Sequence, residues 1–282
     1  MYWSVRRELW ESRSIYLAPL AVAALVLFAS LISTIGLPGK MRTLPTLDTA
    51  KRHAAVVSHY STAPAPIILA AFLVGIFYCL DALHGERRDR SILFWKSLPV
   101  SDLTTVLSKA TIPLAVLPLI GLVLGMTVQF TMLLMSTAVL LGSNGGVATL
   151  WAEFRFFQEP LVMIYGLLVH VLWFAPIYGW LLLVSAWARR TPVLWAAIPL
   201  FAIAIVEKIA FSTSYFSTML KYRVIGAMAE AFDGKSQSGI IDRLSQLSPG
   251  RFLSAPGLWV GLVFTAAFLA AAVRLRRNRE PI

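Results

Sequence analysis

The sequence predicts an all-α integral membrane protein with six transmembrane helices and both termini in the cytoplasm. Three observations carry this. Hydrophobic residues fill 58% of the 282 positions and charged residues only 14%, with a mean hydropathy of +0.73. Apolar stretches recur at lengths near the ~20 helical residues that cross a ~30 Å hydrocarbon core. The basic residues concentrate at the ends of those stretches, where they meet lipid headgroups and set orientation.

Residues 1–14 precede the first span. Tyr2, Val5 and Leu9 share a helical face, with Trp3 and Trp10 beside them and Arg6 and Arg13 within the same arc. Such a helix suits the membrane interface, where Trp stays at the boundary and Arg snorkels. Spans are expected at about 15–36, 64–83, 103–141, 161–188, 193–211 and 255–273, forming one transmembrane domain over 1–282. A polar connection joins the first two. Between Ala110 and Ala152 there is no Asp, Glu, Lys or Arg. That run is too long for one perpendicular crossing. It is either one tilted helix to about Leu141, kinked at Pro113 and Pro118, or a chain that folds back, with the turn at 143–146 ending it. Residues 212–254 form a long outer segment, in which Phe216, Leu220, Val224 and Met228 share one helical face and Ile240, Ile241, Leu244 and Leu247 another.

With the N-terminus inside, segments 1–14, 84–109, 189–192 and 274–282 are cytoplasmic and hold 14 of the 25 basic residues. Their basic density is roughly double that of the outer segments, as the positive-inside rule requires. The net charge of +11 is thereby assigned to the membrane boundary, and no nucleic-acid-binding surface remains.

The lone Cys79 excludes an intrachain disulfide framework, a zinc cluster or a CxxC redox pair. Gly234-Lys235-Ser236 resembles the end of a phosphate-binding loop, but position 229 is Ala where that loop needs Gly, so no ATP site is assigned. HExxH and GxSxG are absent, and no catalytic or metal-binding residues are assigned. Glu207 and Lys208 form a possible intramembrane polar site. They read first as a snorkelling pair near the outer boundary, with a water-filled path or subunit interface as the functional alternative. His170 and Gln129 read as satisfied packing residues, and Gly121-x-x-x-Gly125 and Gly257-x-x-x-Gly261 as places of close helix approach.

The loop between spans two and three is the most informative stretch. Glu86-Arg-Arg-Asp-Arg90 leaves the membrane and Ile92, Leu93, Phe94 and Trp95 follow consecutively. Leu98 and Pro99 then turn the chain, and Ser101 is placed to cap the next helix. A purely solvated loop has no use for four such apolar residues. Aromatics ringed by arginine are the usual composition of an interaction hot spot.

These elements resemble the membrane subunits of ABC-2-type exporters. In that family an acidic residue follows the second span, then a basic run, a short helix, an "sLPvs" turn and a lysine opening the third span. Here they read Glu86, Arg87–Arg90, Ser91–Lys96, 97–101 and Lys109. The resemblance extends to the six-span plan and to LSPGRFLSAPGLW leading into the last span. It implies a permease without enzymatic activity, moving an unidentified substrate across the plasma membrane, in the manner of a bacterial inner-membrane protein. It further implies a homodimer or heterodimer of permeases and a separate ABC ATPase subunit that binds ATP and Mg, with no cofactor in this chain. The loop carrying Glu86, Arg90, Ile92, Leu93, Phe94, Trp95, Leu98 and Pro99 would hold the coupling helix for that ATPase, with Glu86 and Arg90 on its rim. The outer segment would supply short helices or a re-entrant hairpin capping the exit. The alternative is a secondary transporter or channel-like protein without an ATPase partner, a function that needs coupling charges or a polar filter, of which the spans contain few.

Overall fold

A computed structural model describes residues 2–39, 48–97, 100–142, 147–154, 157–233 and 244–278. Among them there is no strand, only an isolated bridge between Phe232 and Leu247. Six helices are long and apolar enough to cross a membrane, the pattern of a multi-pass membrane protein. In chain order the helices are α1 (Tyr2–Glu11), α2 (Ser14–Thr34), α3 (Thr49–Ser61), α4 (Pro64–Ala82), α5 (His84–Arg88), α6 (Ser91–Ser97) and α7 (Asp102–Thr111). Next come α8 (Leu117–Gly142), α9 (Val147–Glu153), α10 (Gln158–Trp187), α11 (Pro192–Phe211), α12 (Tyr215–Ala231), α13 (Pro249–Ser254) and α14 (Pro256–Asn278). Helices are forced on the spans because a bilayer core offers backbone N–H and C=O groups no water, so each must be satisfied within its own segment.

The long charge-free run does not fold back before Gly142. α7 and α8 form one continuous column from Asp102 to Gly142, joined by a π-helical turn at Ile112–Val116. Pro113 and Pro118 bring no N–H to the ladder, and the Leu117 N–H reaches back five residues to the Ile112 carbonyl. At 1.5 Å per residue the column is about 60 Å long, twice what a ~30 Å core needs.

The connection between the first two spans is more ordered than the polar reading expected. It contains α3, which buries Val56, Val57 and Tyr60, and the Tyr60 hydroxyl donates to Ser136 at 2.8 Å. Gln129 donates to the Tyr60 carbonyl at 3.2 Å, and Ser61 donates to buried Glu159 at 2.6 Å. Both polar side chains therefore serve packing between α3 and the spans.

α10 and α14 make the most extensive interface. Gly179 faces that interface, where an added Cβ would sit in ordinary van der Waals contact, 3.5 Å from Phe268 and Thr265. Gly125 is a place of close approach, where an added Cβ would lie 3.0 Å from Pro64 of α4 and from Met163 of α10, whereas at Gly121 a Cβ would meet Ala71 and Ile68 in ordinary contact. Gly257 and Gly261 serve a different purpose. A Cβ on Gly261 would fall 2.0 Å from the Arg223 guanidinium, so this notch admits a side chain rather than a helix. α11 buries only Ala196, and an apolar helix exposed nearly all round is matched to lipid.

After α11 the chain folds back as α12. Trp173 donates to the Arg223 carbonyl at 2.8 Å, and Arg223 returns bonds to the carbonyls of Trp173 (3.1 Å) and Gly257 (2.6 Å) while lying 4.8 Å over the Trp173 ring. α12 buries Gly226, Ala227 and Ala231, whereas Val224 and Met228 of the anticipated face are exposed. The anticipated second face falls partly on Ile240 and Ile241, which lie outside the described residues; Leu244 is exposed.

Candidate functional site

One end of the bundle gathers α1, α5, α6, α7 and the C-terminal end of α14. Four charged side chains meet there with almost no contact with solvent: Glu8, Glu86 and Lys109 at 3–5% exposure and Arg276 at 4%. The Lys109 ammonium donates to both Glu8 oxygens, at 3.0 and 3.1 Å, and pairs with Glu86 Oε1 at 3.2 Å. Arg276 pairs with Glu86 Oε2 and, at 3.0 Å, with Asp102. Arg7 donates to Glu8 at 2.7 Å and approaches Glu86 at 3.5 Å, and the Tyr78 hydroxyl closes the set on Glu8 at 2.7 Å. Glu8, Glu86 and Asp102 balance Arg7, Lys109 and Arg276, and exposed Glu11 adds a further carboxylate at the edge, 3.6 Å from Arg7.

Local structure explains each placement. α1 presents Val5 and Leu9 to the core, and Glu8 lies on the same arc, so docking the apolar face buries the carboxylate as well. Burial pushes the Glu8 pKa up, but the Lys109 ammonium, the Tyr78 hydroxyl and Arg7 outweigh it and hold the carboxyl below its ordinary value. Ser101 caps α7, accepting from the Thr104 N–H at 3.1 Å, as its sequence position predicts. That start aligns Asp102 and Lys109 toward the cluster. Asp102 lies two turns below Lys109, and Arg276 and Glu86 bridge the gap.

A second set of bonds fixes the start of the loop against the end of α10. Ser185 Oγ accepts from the backbone N–H groups of Leu83 and His84 at 3.0 and 2.9 Å. Arg87, also buried, donates to the carbonyls of Ala186 and Ala188 at 2.8 and 3.2 Å. A guanidinium at the last carbonyls of a helix satisfies acceptors that lack intrahelical partners and complements the helix dipole.

From this anchorage the chain turns at Arg90, whose φ of 58° is left-handed and uncommon for a residue with a Cβ. α6 then buries Ile92, at 1% exposure, and leaves Leu93 and Phe94 exposed at 57% and 60%. Trp95 belongs to the same helix, and Leu98 and Pro99 lie outside the described residues.

The anticipated site therefore divides. Leu93, Phe94 and Arg90 occupy the accessible part, whereas Glu86 is not on a rim: it is buried in the ion cluster and Ile92 is buried beneath α6. The reason is charge compensation. Arg276 and Lys109 converge on Glu86 from distant parts of the chain, which removes it from solvent. Sequence reading missed Glu8, Tyr78 and Arg276. The available signal was a carboxylate inside the apolar arc of α1, which a freely floating interface helix would place toward water.

Glu207 is resolved as a local structural group. It accepts from Thr213 Oγ1 (2.9 Å) and from the N–H groups of Tyr215 (2.6 Å) and Phe216 (2.9 Å), the first residues of α12. A carboxylate at a helix N-terminus satisfies otherwise unpaired donors and the positive end of the dipole. Lys208 is its sequence neighbour at the end of α11. Gly234, Lys235 and Ser236 lie outside the described residues. No family model, characterised relative or solved structure matches the chain.

Proposed function

We propose that the chain is the permease subunit of an ATP-driven exporter and that a separate ATPase chain seats against α6. The orientation that goes with this reading places α1, α6 and the end of α14 on the cytoplasmic side and α12 against the outer half of the spans. The observation that carries it is the combination of an exposed apolar pair, Leu93 and Phe94, with a base that cannot yield easily. α6 is preceded by Arg87 bonded to α10 and by Glu86 clamped to α7 and α14. A push on such a helix reaches three spans as rigid-body motion, which is what coupling to a distant ATPase requires. The basic residues at this end of the bundle agree with a cytoplasmic location.

The test is recovery of the cognate ATPase by affinity-tagged permease, alongside transport. Removing an aromatic from a desolvated contact commonly costs about 2 kcal/mol, roughly thirtyfold in affinity. Phe94→Ala is expected to release the ATPase or uncouple transport while the protein still inserts and purifies normally. Unchanged ATPase recovery and transport in both Phe94→Ala and Leu93→Ala would overturn the assignment.

A further inference from the structure

Away from the ion cluster, a recess of about 420 Å³ lies between α4, the start of α8, α10 and α12. Its lining along α10 runs from Val162 to Tyr178, about 24 Å of helix axis, so the space is elongated along the spans. The volume is within the range typical of ligand pockets. Nearly every lining side chain is apolar, and the two polar ones, His170 and Tyr178, bond to each other at 3.2 Å. A water needs two to four polar partners, so this lining suits water poorly. The recess does not close on itself. Ile68, Val224 and Met228 line it while being 41%, 59% and 57% exposed, so its mouth is apolar. The shape depends on missing side chains as well: a Cβ on Gly166 would meet only Phe232, at 3.9 Å.

We propose that this recess is a binding site for a hydrocarbon chain, that of a bilayer phospholipid or of a single-chain amphiphile. The long axis lies along α10, one of the helices apolar enough to cross a membrane, the lining is apolar save for the bonded His170–Tyr178 pair, and the mouth is apolar. α12, latched through Arg223 to Trp173 and Gly257, forms one wall, so the outer segment is part of the site. The site is independent of the exporter reading, since it requires neither an ATPase nor transport.

The experiment uses the purified full chain in lipid nanodiscs. One arm contains a phospholipid with a diazirine on its acyl chain; the other adds a diazirine fatty acid to unlabelled lipid. After illumination, adducts are mapped by mass spectrometry, with lipid-exposed α11 as the internal reference. Adducts are expected to be denser on 162–178 and 224–232 than on α11. Enrichment in the phospholipid arm assigns a bilayer lipid, and enrichment in the fatty-acid arm alone assigns a single-chain amphiphile. Gly166→Leu should fill the recess and Met228→Trp should obstruct its mouth, each losing the enrichment while α11 labelling persists. Met228 is exposed, so its replacement leaves the packed interior intact. Labelling no denser than on α11 in both arms, or enrichment unchanged in both variants, would overturn the proposal.

Discussion

Replacing Lys109 with methionine removes the ammonium that Glu8 and Glu86 share. Breaking a buried ion pair by deleting one partner typically costs about 3–5 kcal/mol, because the surviving charge stays desolvated. The geometry points to the lower part of that range. Without Lys109, Glu8 still receives Tyr78 and Arg7 at 2.7 Å each, and Glu86 still holds Arg276. About 3 kcal/mol corresponds to more than a hundredfold in the folded-to-unfolded ratio. The assay is unfolding in detergent micelles, followed by loss of the monodisperse size-exclusion peak and by tryptophan fluorescence, on wild type, Lys109→Met, Glu8→Gln and the double variant. Since the two side chains are in direct contact, the double variant should be less damaged than the sum of the singles, by about 0.5–3 kcal/mol. A loss below ~1 kcal/mol for Lys109→Met, with additive singles, would refute the view that this cluster clamps the end of the bundle, because exposed ion pairs behave that way.

Three further outcomes are expected. Glu8 has a pKa below its ordinary value of 4.5, so its contribution is fully present above the unfolded pKa and is lost as pH falls through the lower folded value. The stability gap between wild type and Glu8→Gln should thus be level from neutral pH to about 5 and shrink only below about 4, as read by pH-dependent unfolding. Glu207→Ala should speed amide exchange at Tyr215 and Phe216, whose N–H groups lose their acceptor, while leaving the cluster around Glu86 unaffected. Gly261→Ala should displace Arg223, since the new Cβ would lie 2.0 Å from its guanidinium; overpacking costs of about 1–3 kcal/mol and a changed Trp173 fluorescence spectrum are expected, whereas Gly250→Ala, with nothing within 4 Å, should be silent.

The helical class and the six long apolar helices were determined by the sequence itself, because hydrocarbon allows a crossing segment few alternatives to a helix. Among the described residues the six long apolar helices number as many as the anticipated spans, and two of them, Ala55–Arg88 and Asp102–Gly142, run well beyond the length of one crossing. The short helix at 91–97 was implied only by the family resemblance, whereas the cap at Ser101 was legible because a residue's neighbours in sequence decide it. Whether the charge-free run continued or folded back was not, since Pro113 and Pro118 permit either a break or the π-turn that forms.

Only tertiary structure decided what the charged residues do. Glu8 and Lys109 are separated by 101 positions and Glu86 and Arg276 by 190, and no periodicity links them. Each reads in sequence as a boundary charge facing water or headgroups. Packing α1, α7 and α14 together removes that water, and a desolvated charge must find its opposite. The same packing turned Gly261 into a socket for Arg223 and left an apolar recess beneath α12. Spans are selected one at a time by the solvent around them, whereas buried pairs, sockets and cavities arise only where several spans meet.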